Sequence, residues 1–141
     1  MNDKKLTIGE FNDSFMPVMD GVVSVVKNNT VELNKLGHKA YAVVSGYKDY
    51  PDYDKENGID YTIMGDGYYV IKSLQPYGVT TFSKEKRDMI YNLPFDIVHA
   101  NCPTIIGRIA LKTSRLRNIP LVSTFHTFIR DDLNIMFPEH C

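Results

Sequence analysis

Short apolar runs alternate along this chain with longer stretches whose apolar residues recur at helical spacing. Leu6-Thr7-Ile8-Gly9-Glu10-Phe11 has the length and composition of a first strand. A loop from Asn12 to Met19, containing Pro17, leads to a helix predicted from Gly21 to Leu36, with Val22, Val26, Leu33 and Leu36 on one face. Asp20 is placed to cap its start, because a carboxylate there accepts from the first free amides. Gly37 is placed to end it, because glycine takes the left-handed conformation of a helix stop. A second strand follows at Tyr41-Ala42-Val43-Val44. Gly46 to Gly58 is polar and tyrosine-bearing, rich in Asp, Lys and Pro, and reads as a solvated loop. From Ile59 to Ile71 the alternation is weak and Gly65-Asp66-Gly67 breaks it, so two short strands or a hairpin both fit.

The second half repeats the pattern more clearly. Ser83 caps a short charged helix to Asn92, with Met89, Ile90 and Leu93 directed inward. Phe95-Asp96-Ile97-Val98-His99 is the next strand, and Pro103-Thr104 opens a helix carrying Ile105, Ile106, Ile109, Ala110 and Leu116. Lys112, Arg115 and Arg117 gather in its last turns, where the helix dipole favours cations. Asn118 and Pro120 end it, and Leu121 to Thr124 is a buried-looking last strand. Phe128 to Cys141 carries enough apolar residues to begin another helix. Strands alternating with helices at this spacing imply crossover units and a parallel sheet. The expectation is an α/β, Rossmann-like three-layer domain with a mostly parallel sheet, a single unit over residues 1–141.

Composition narrows the class. With 141 residues, 43% apolar and 23% charged, the chain can bury a core and is not a disordered one. The 16 basic and 17 acidic residues leave a net charge of −1, which gives no electrostatic case for nucleic acid. The apolar runs are strand-length, short of the roughly 18 residues a membrane-spanning helix needs. Met1-Asn2-Asp3-Lys4-Lys5 leads straight into a strand without a signal-peptide core, and Cys102 and Cys141 form no disulfide framework. A reduced, cytoplasmic protein is expected.

The chemistry gathers at strand tips, where parallel sheets bind ligands. Three tips carry polar groups: Glu10-Phe11-Asn12, His99, and Thr124-Phe125-His126-Thr127. Two histidines at neighbouring tips suit catalysis and structural pairing equally. Gly21, after the first strand, lets backbone amides approach a phosphate or simply starts a helix; Asp20 would compete for the same amides. There is no G-x-G-x-x-G, no G-x-x-x-x-G-K-[ST] and no G-x-S-x-G, so dinucleotide, P-loop and hydrolase-elbow readings lack their residues. His99-Ala100-Asn101-Cys102 has a spacing a metal could use, yet no second ligand pair accompanies it, and no metal site is expected. Lys84, Lys86 and Arg87, interrupted by Glu85 and Asp88, read as a solvated face before a membrane patch.

Glu10 to Gly21, Leu36-Gly37-His38-Lys39, Phe95 to His99, and Ile119-Pro120-Leu121-Val122-Ser123-Thr124-Phe125-His126-Thr127 come in the order and spacing of family 4 glycosyltransferases. The sequence resembles that family over nearly its whole length, residues 47–94 contributing little. The resemblance implies a retaining enzyme of GT-B fold that moves a hexose from a nucleoside-diphosphate sugar to a lipid or saccharide acceptor. This chain would be its N-terminal, acceptor-side half, truncated and inactive alone, with a C-terminal donor-binding domain supplied in cis or in trans. By resemblance His126 is the catalytic histidine that contacts the donor sugar. Gly21 faces the donor diphosphate, with Asp20 in place of a first glycine the family often has. His99, the first histidine of a frequent His-x-His pair, lines the donor side. Asn101 stands where the second histidine would be, and with Asn12 and Pro17 it borders the acceptor. No cofactor beyond the nucleotide sugar, no metal and no nucleic-acid partner are implied. A lipid acceptor brings with it peripheral contact at the inner membrane face. Two other readings stay open, a non-catalytic Rossmann-like binding module and an inactive remnant.

Overall fold

The computed structural model describes residues 3–46, 62–75 and 77–126. Strands β1 (Thr7–Asn12), β2 (Lys39–Val44), β3 (Thr62–Met64), β6 (Ile97–Ala100) and β7 (Leu121–Ser123) form one parallel sheet in the order β3-β2-β1-β6-β7. Between them β4 (Gly67–Val70) and β5 (Gly78–Thr81) pair antiparallel as a separate hairpin, joined through a 3-10 turn at Lys72–Leu74. The helices are α1 (Gly21–Lys35), α2 (Lys84–Asn92) and α3 (Ile105–Arg117). The chain steps outward from β1 to β3, then returns to lay β6 on the other side of β1. Strand order therefore reverses between β1 and β6, where α/β sheets open a crevice at their carboxyl ends.

Side-chain alternation assigns the two faces. Phe11 is in register with Val43 on one side and Ala100 on the other. These residues, with Ile63 and Val98, pack against Ile90 of α2 and Ile106, Ile109 and Ala110 of α3. Ala42 and Val44 point the opposite way and pack against Val23 and Val26 of α1 and Phe15 of the loop before it. Helices thus cover both faces, and the domain has the three-layer, Rossmann-like architecture the sequence implies.

The caps form as the residues dictate. Asp20 Oδ1 accepts from Val23 N at 2.8 Å, and Ser83 accepts from Lys86 N at 3.2 Å. Gly37 sits at φ +91°, and His38 N–H donates to Leu33 O at 3.0 Å, closing α1. Asn118, at φ 52°, ends α3. Asn34 binds the α1 end to β2: its side-chain amide donates to Thr30 O and Ala40 O and accepts from Ala40 N. His38 has a structural task as well, its Nδ1 accepting from Leu6 N at 3.2 Å ahead of β1.

Several expectations need correction. The inner stripe of α1 is Val23, Val26 and Thr30, and Leu36 is 75% exposed at the helix end. Thr30 is tolerated inside because its hydroxyl donates to Val26 O at 2.8 Å. Met89 is 46% exposed: α2 has about two turns and buries Ile90 alone, so its neighbour in sequence faces outward. Among the described residues β7 is not buried; it lies at the edge of the sheet, bonded to β6, with Val122 44% exposed. The ambiguous stretch before Ile71 resolves into β3 in the main sheet and β4 in the hairpin. The loop expected from Gly46 to Gly58 (beyond Gly46 itself) and the helix expected from Phe128 lie outside the described residues. No helix among the described residues is long and apolar enough to cross a membrane.

Candidate functional site

Glu10 on β1 and His99 on β6 are register partners at the strand-order reversal. Glu10 is only 3% exposed, and a carboxylate buried so deeply is costly unless donors meet it. Two do, both at Oε2: His99 Nδ1 at 3.0 Å and Asn101 Nδ2 at 3.0 Å. Asn101, 6% exposed, turns its Oδ1 to His126 Nε2 at 2.9 Å. His99 Nε2 meets Thr124 Oγ1 at 2.7 Å. One line of hydrogen bonds, Thr124–His99–Glu10–Asn101–His126, therefore joins the exits of β1, β6 and β7. The hydrogen bond to Glu10 raises the His99 pKa above 6.5, outweighing the desolvation that would lower it.

In front of this line lies a cavity of about 180 Å³ bordered by Asn12, Asp13, Asn101, Thr124 and His126. A second cavity, of about 350 Å³, shares Asp13 and Ser14 with it and extends to Ile71, Tyr77, Val79 and Ile105. Asp13 stands where the two meet. Its carboxylate accepts from the Thr104 hydroxyl, and its backbone carbonyl accepts from the Ser45 hydroxyl. Burial raises the Asp13 pKa, partly offset by hydrogen bonds from Cys102 and the Ile106 backbone. The Cys102 thiol is pushed up to about 12 by burial and by Asp13, so it stays protonated at neutral pH and is a poor nucleophile. Gly107 makes this crowding possible: a Cβ there would run into the Cys102 carbonyl, so α3 can start directly behind the β6 exit.

Of the residues singled out from sequence, Asn12, Asn101 and His126 meet at one cavity. Asn12 also shapes the loop, its Nδ2 donating to Ser14 O at 2.9 Å. Phe15 and Val18 anchor that loop in the core, leaving Pro17 exposed after a cis peptide bond. His99 stands behind the cavity, bonded at both ring nitrogens. Asp20 and Gly21 do not line either cavity, although Val22 beside them does. The Asp20 carboxylate is engaged by Val23 N and, at 3.0 Å, by the Tyr77 hydroxyl. Gly21 is exposed, with open space where a Cβ would stand. Neither cavity has a lysine or arginine among its described lining residues. Among the described residues no three histidine, cysteine or carboxylate groups converge as a metal set requires.

Sequence reasoning placed Glu10 and Thr124 at the polar strand tips without giving either a role, and missed Asp13 as a site residue. Glu10 carried a signal, since alternation puts it on the same strand face as buried Ile8, and a carboxylate on a buried face must have partners. The bond of Thr124 to His99 and the contacts of Asp13 carried none, because they depend on segments brought together from distant parts of the chain.

Residues 19–138 match the family described as Glycosyltransferase Family 4. The chain is 29% identical over 127 residues to alpha-monoglucosyldiacylglycerol synthase of Acholeplasma laidlawii, covering 89% of this chain and 31% of that protein. It is 25% identical over 126 residues to a protein of the same name from Streptococcus pneumoniae (strain ATCC BAA-255 / R6), covering 89% of this chain and 28% of the relative. The chain thus spans less than a third of the length of these two relatives. The family match takes in α1, His99, Asn101, Thr124 and His126, and with five-sixths of the sequence inside it, the chain belongs to glycosyltransferase family 4.

Proposed function

We propose that this chain is the acceptor-side part of a retaining glycosyltransferase of GT-B architecture, moving a hexose from a nucleoside-diphosphate sugar to a lipid acceptor. The observation that carries the reading is His126, held by Asn101 at a cavity on the strand-order reversal of a family 4 chain. His126 would hold a hydroxyl of the donor sugar. Both relatives are named for attaching an alpha-linked glucose to diacylglycerol, which favours glucose as the sugar and a diacylglycerol-type acceptor here.

The charges divide the labour. A departing diphosphate needs cations, and the two cavities offer Asp13 without a lysine or arginine among their described lining residues. The phosphate-binding cations would come from a donor-binding domain, in cis or in trans. The larger cavity, with Ile71, Tyr77, Val79 and Ile105 at its walls, suits the apolar part of an acceptor, whose hydroxyl would reach the sugar past Asp13 and Ser14. Ile105 also borders the outer face of α3, where Arg108, Lys112 and Arg115 stand beside exposed Leu111 and Leu116. A basic, partly apolar face next to the acceptor cavity suits peripheral contact with an anionic bilayer from the cytoplasmic side.

The test uses native protein from its source cells, given a panel of nucleoside-diphosphate hexoses and vesicles containing diacylglycerol. A monohexosyl lipid whose anomeric configuration matches that of the donor is expected. An inverted product, or transfer to water-soluble saccharides alone, would contradict the reading. The absence of lysine and arginine from the described lining residues of both cavities also favours a second reading, a binding module without turnover. That one predicts stabilisation by ligand with no product from any donor.

A further inference from the structure

We propose that Glu10 holds the two histidines of the site in opposite neutral tautomers, His99 protonated on Nδ1 and His126 protonated on Nε2. A carboxylate only accepts hydrogen bonds. Both groups meeting Glu10 Oε2 must therefore donate: His99 through an Nδ1–H, and Asn101 through its NH2. With the amide nitrogen committed to Glu10, Asn101 has only its carbonyl oxygen to offer His126. A carbonyl also only accepts, so the proton between Asn101 Oδ1 and His126 Nε2 belongs to the histidine.

The remaining ring nitrogens follow. Neutral His99 keeps a lone pair on Nε2, which accepts from the Thr124 hydroxyl. Neutral His126 keeps its lone pair on Nδ1, which has no partner among the described residues, on a ring that borders the 180 Å³ cavity. Glu10 and Asn101 are buried, so neither can turn to water and release the pattern. An unconstrained imidazole favours the Nε2–H form, so His99 is held in the less favoured one. The consequence is chemical selectivity. A lone pair at His126 Nδ1 takes a hydrogen bond from a ligand O–H, as a sugar hydroxyl provides, and repels a phosphate oxygen. Glu10 and Asn101 are positioning residues, acting on the ligand through His126. The tautomers stand on geometry alone, and only the identity of the ligand rests on the proposed function.

Long-range 1H–15N correlation of the imidazoles in the labelled protein, above the titration of both rings, reads the two tautomers directly. The expected pattern is Nδ1–H at His99 and Nε2–H at His126. In Glu10→Leu, His99 should revert to Nε2–H. In Glu10→Gln it should keep Nδ1–H, because the glutamine carbonyl takes the place of Oε2 between two donors. Asn101→Ala should release His126 into a tautomer mixture and leave His99 unchanged, whether or not the Glu10→Leu protein folds. Nε2–H at His99 or Nδ1–H at His126 in the unmodified protein would overturn the inference. The expected tautomers in a protein that transfers no sugar would instead count against the proposed function and leave this inference standing.

Discussion

Glu10 ties the site together because one oxygen serves two donors, His99 and Asn101. The arrangement has a pH signature. Since Glu10 raises the His99 pKa above 6.5, the folded protein binds that proton more tightly than the unfolded chain. The stabilisation it contributes is complete below pH 6.5 and is lost as pH rises through the folded-state value. Urea unfolding across that window should show stability falling with pH in the unmodified protein. Glu10→Gln, which removes the charge, should flatten the dependence. A slope of the same size in both proteins would place its origin elsewhere. His126 is the more exposed histidine and takes its orientation from Asn101, so the two rings divide into a half-buried organiser and a ligand-facing one.

At the scale of elements, the joint between α1 and β2 rests on Asn34, whose side chain bonds three backbone groups, two of them on Ala40. Asn34→Ala leaves those groups unpaired and should destabilise the protein by about 1–3 kcal/mol in chemical denaturation. A change within experimental error would mean that water replaces the amide. Such joints explain what the sequence disclosed. Asp20, Ser83 and Gly37 were readable because a cap acts on backbone within about four residues of itself. The first, second and sixth strands were readable because valine, isoleucine and phenylalanine cluster there. β5 (Gly-Val-Thr-Thr) was not, because it is a strand only through pairing with β4. Met89 and Leu36 were misplaced because apolar spacing gives a face and not the neighbour it meets. Lys86, which looked like part of a solvated face, is tied to Asp66 at 2.7 Å and holds that carboxyl down at about 2, linking the hairpin to α2.

On the scale of the whole molecule, topology makes the site. Histidines at Val98-His99 and Phe125-His126 could be placed at strand tips from sequence, but their connection runs through Glu10, 91 residues from Asn101, and only the sheet order brings these together. The sequence therefore disclosed the residues at the edge and not the line between them. The reversal between β1 and β6 opens the crevice, α3 starts behind it, and the hairpin walls the apolar cavity beside it. His126 is the one side chain that belongs both to the hydrogen-bonded line and to the proposed sugar contact. The most direct test is the rate of hexosyl transfer to diacylglycerol by native protein carrying His126→Ala. Loss of one hydrogen bond between neutral groups, worth about 0.5–1.5 kcal/mol, corresponds to a fall of about 2- to 10-fold, and that fall is expected. Transfer at the unmodified rate would contradict a sugar-reading role for His126 and, with it, the placement of the site at this sheet edge.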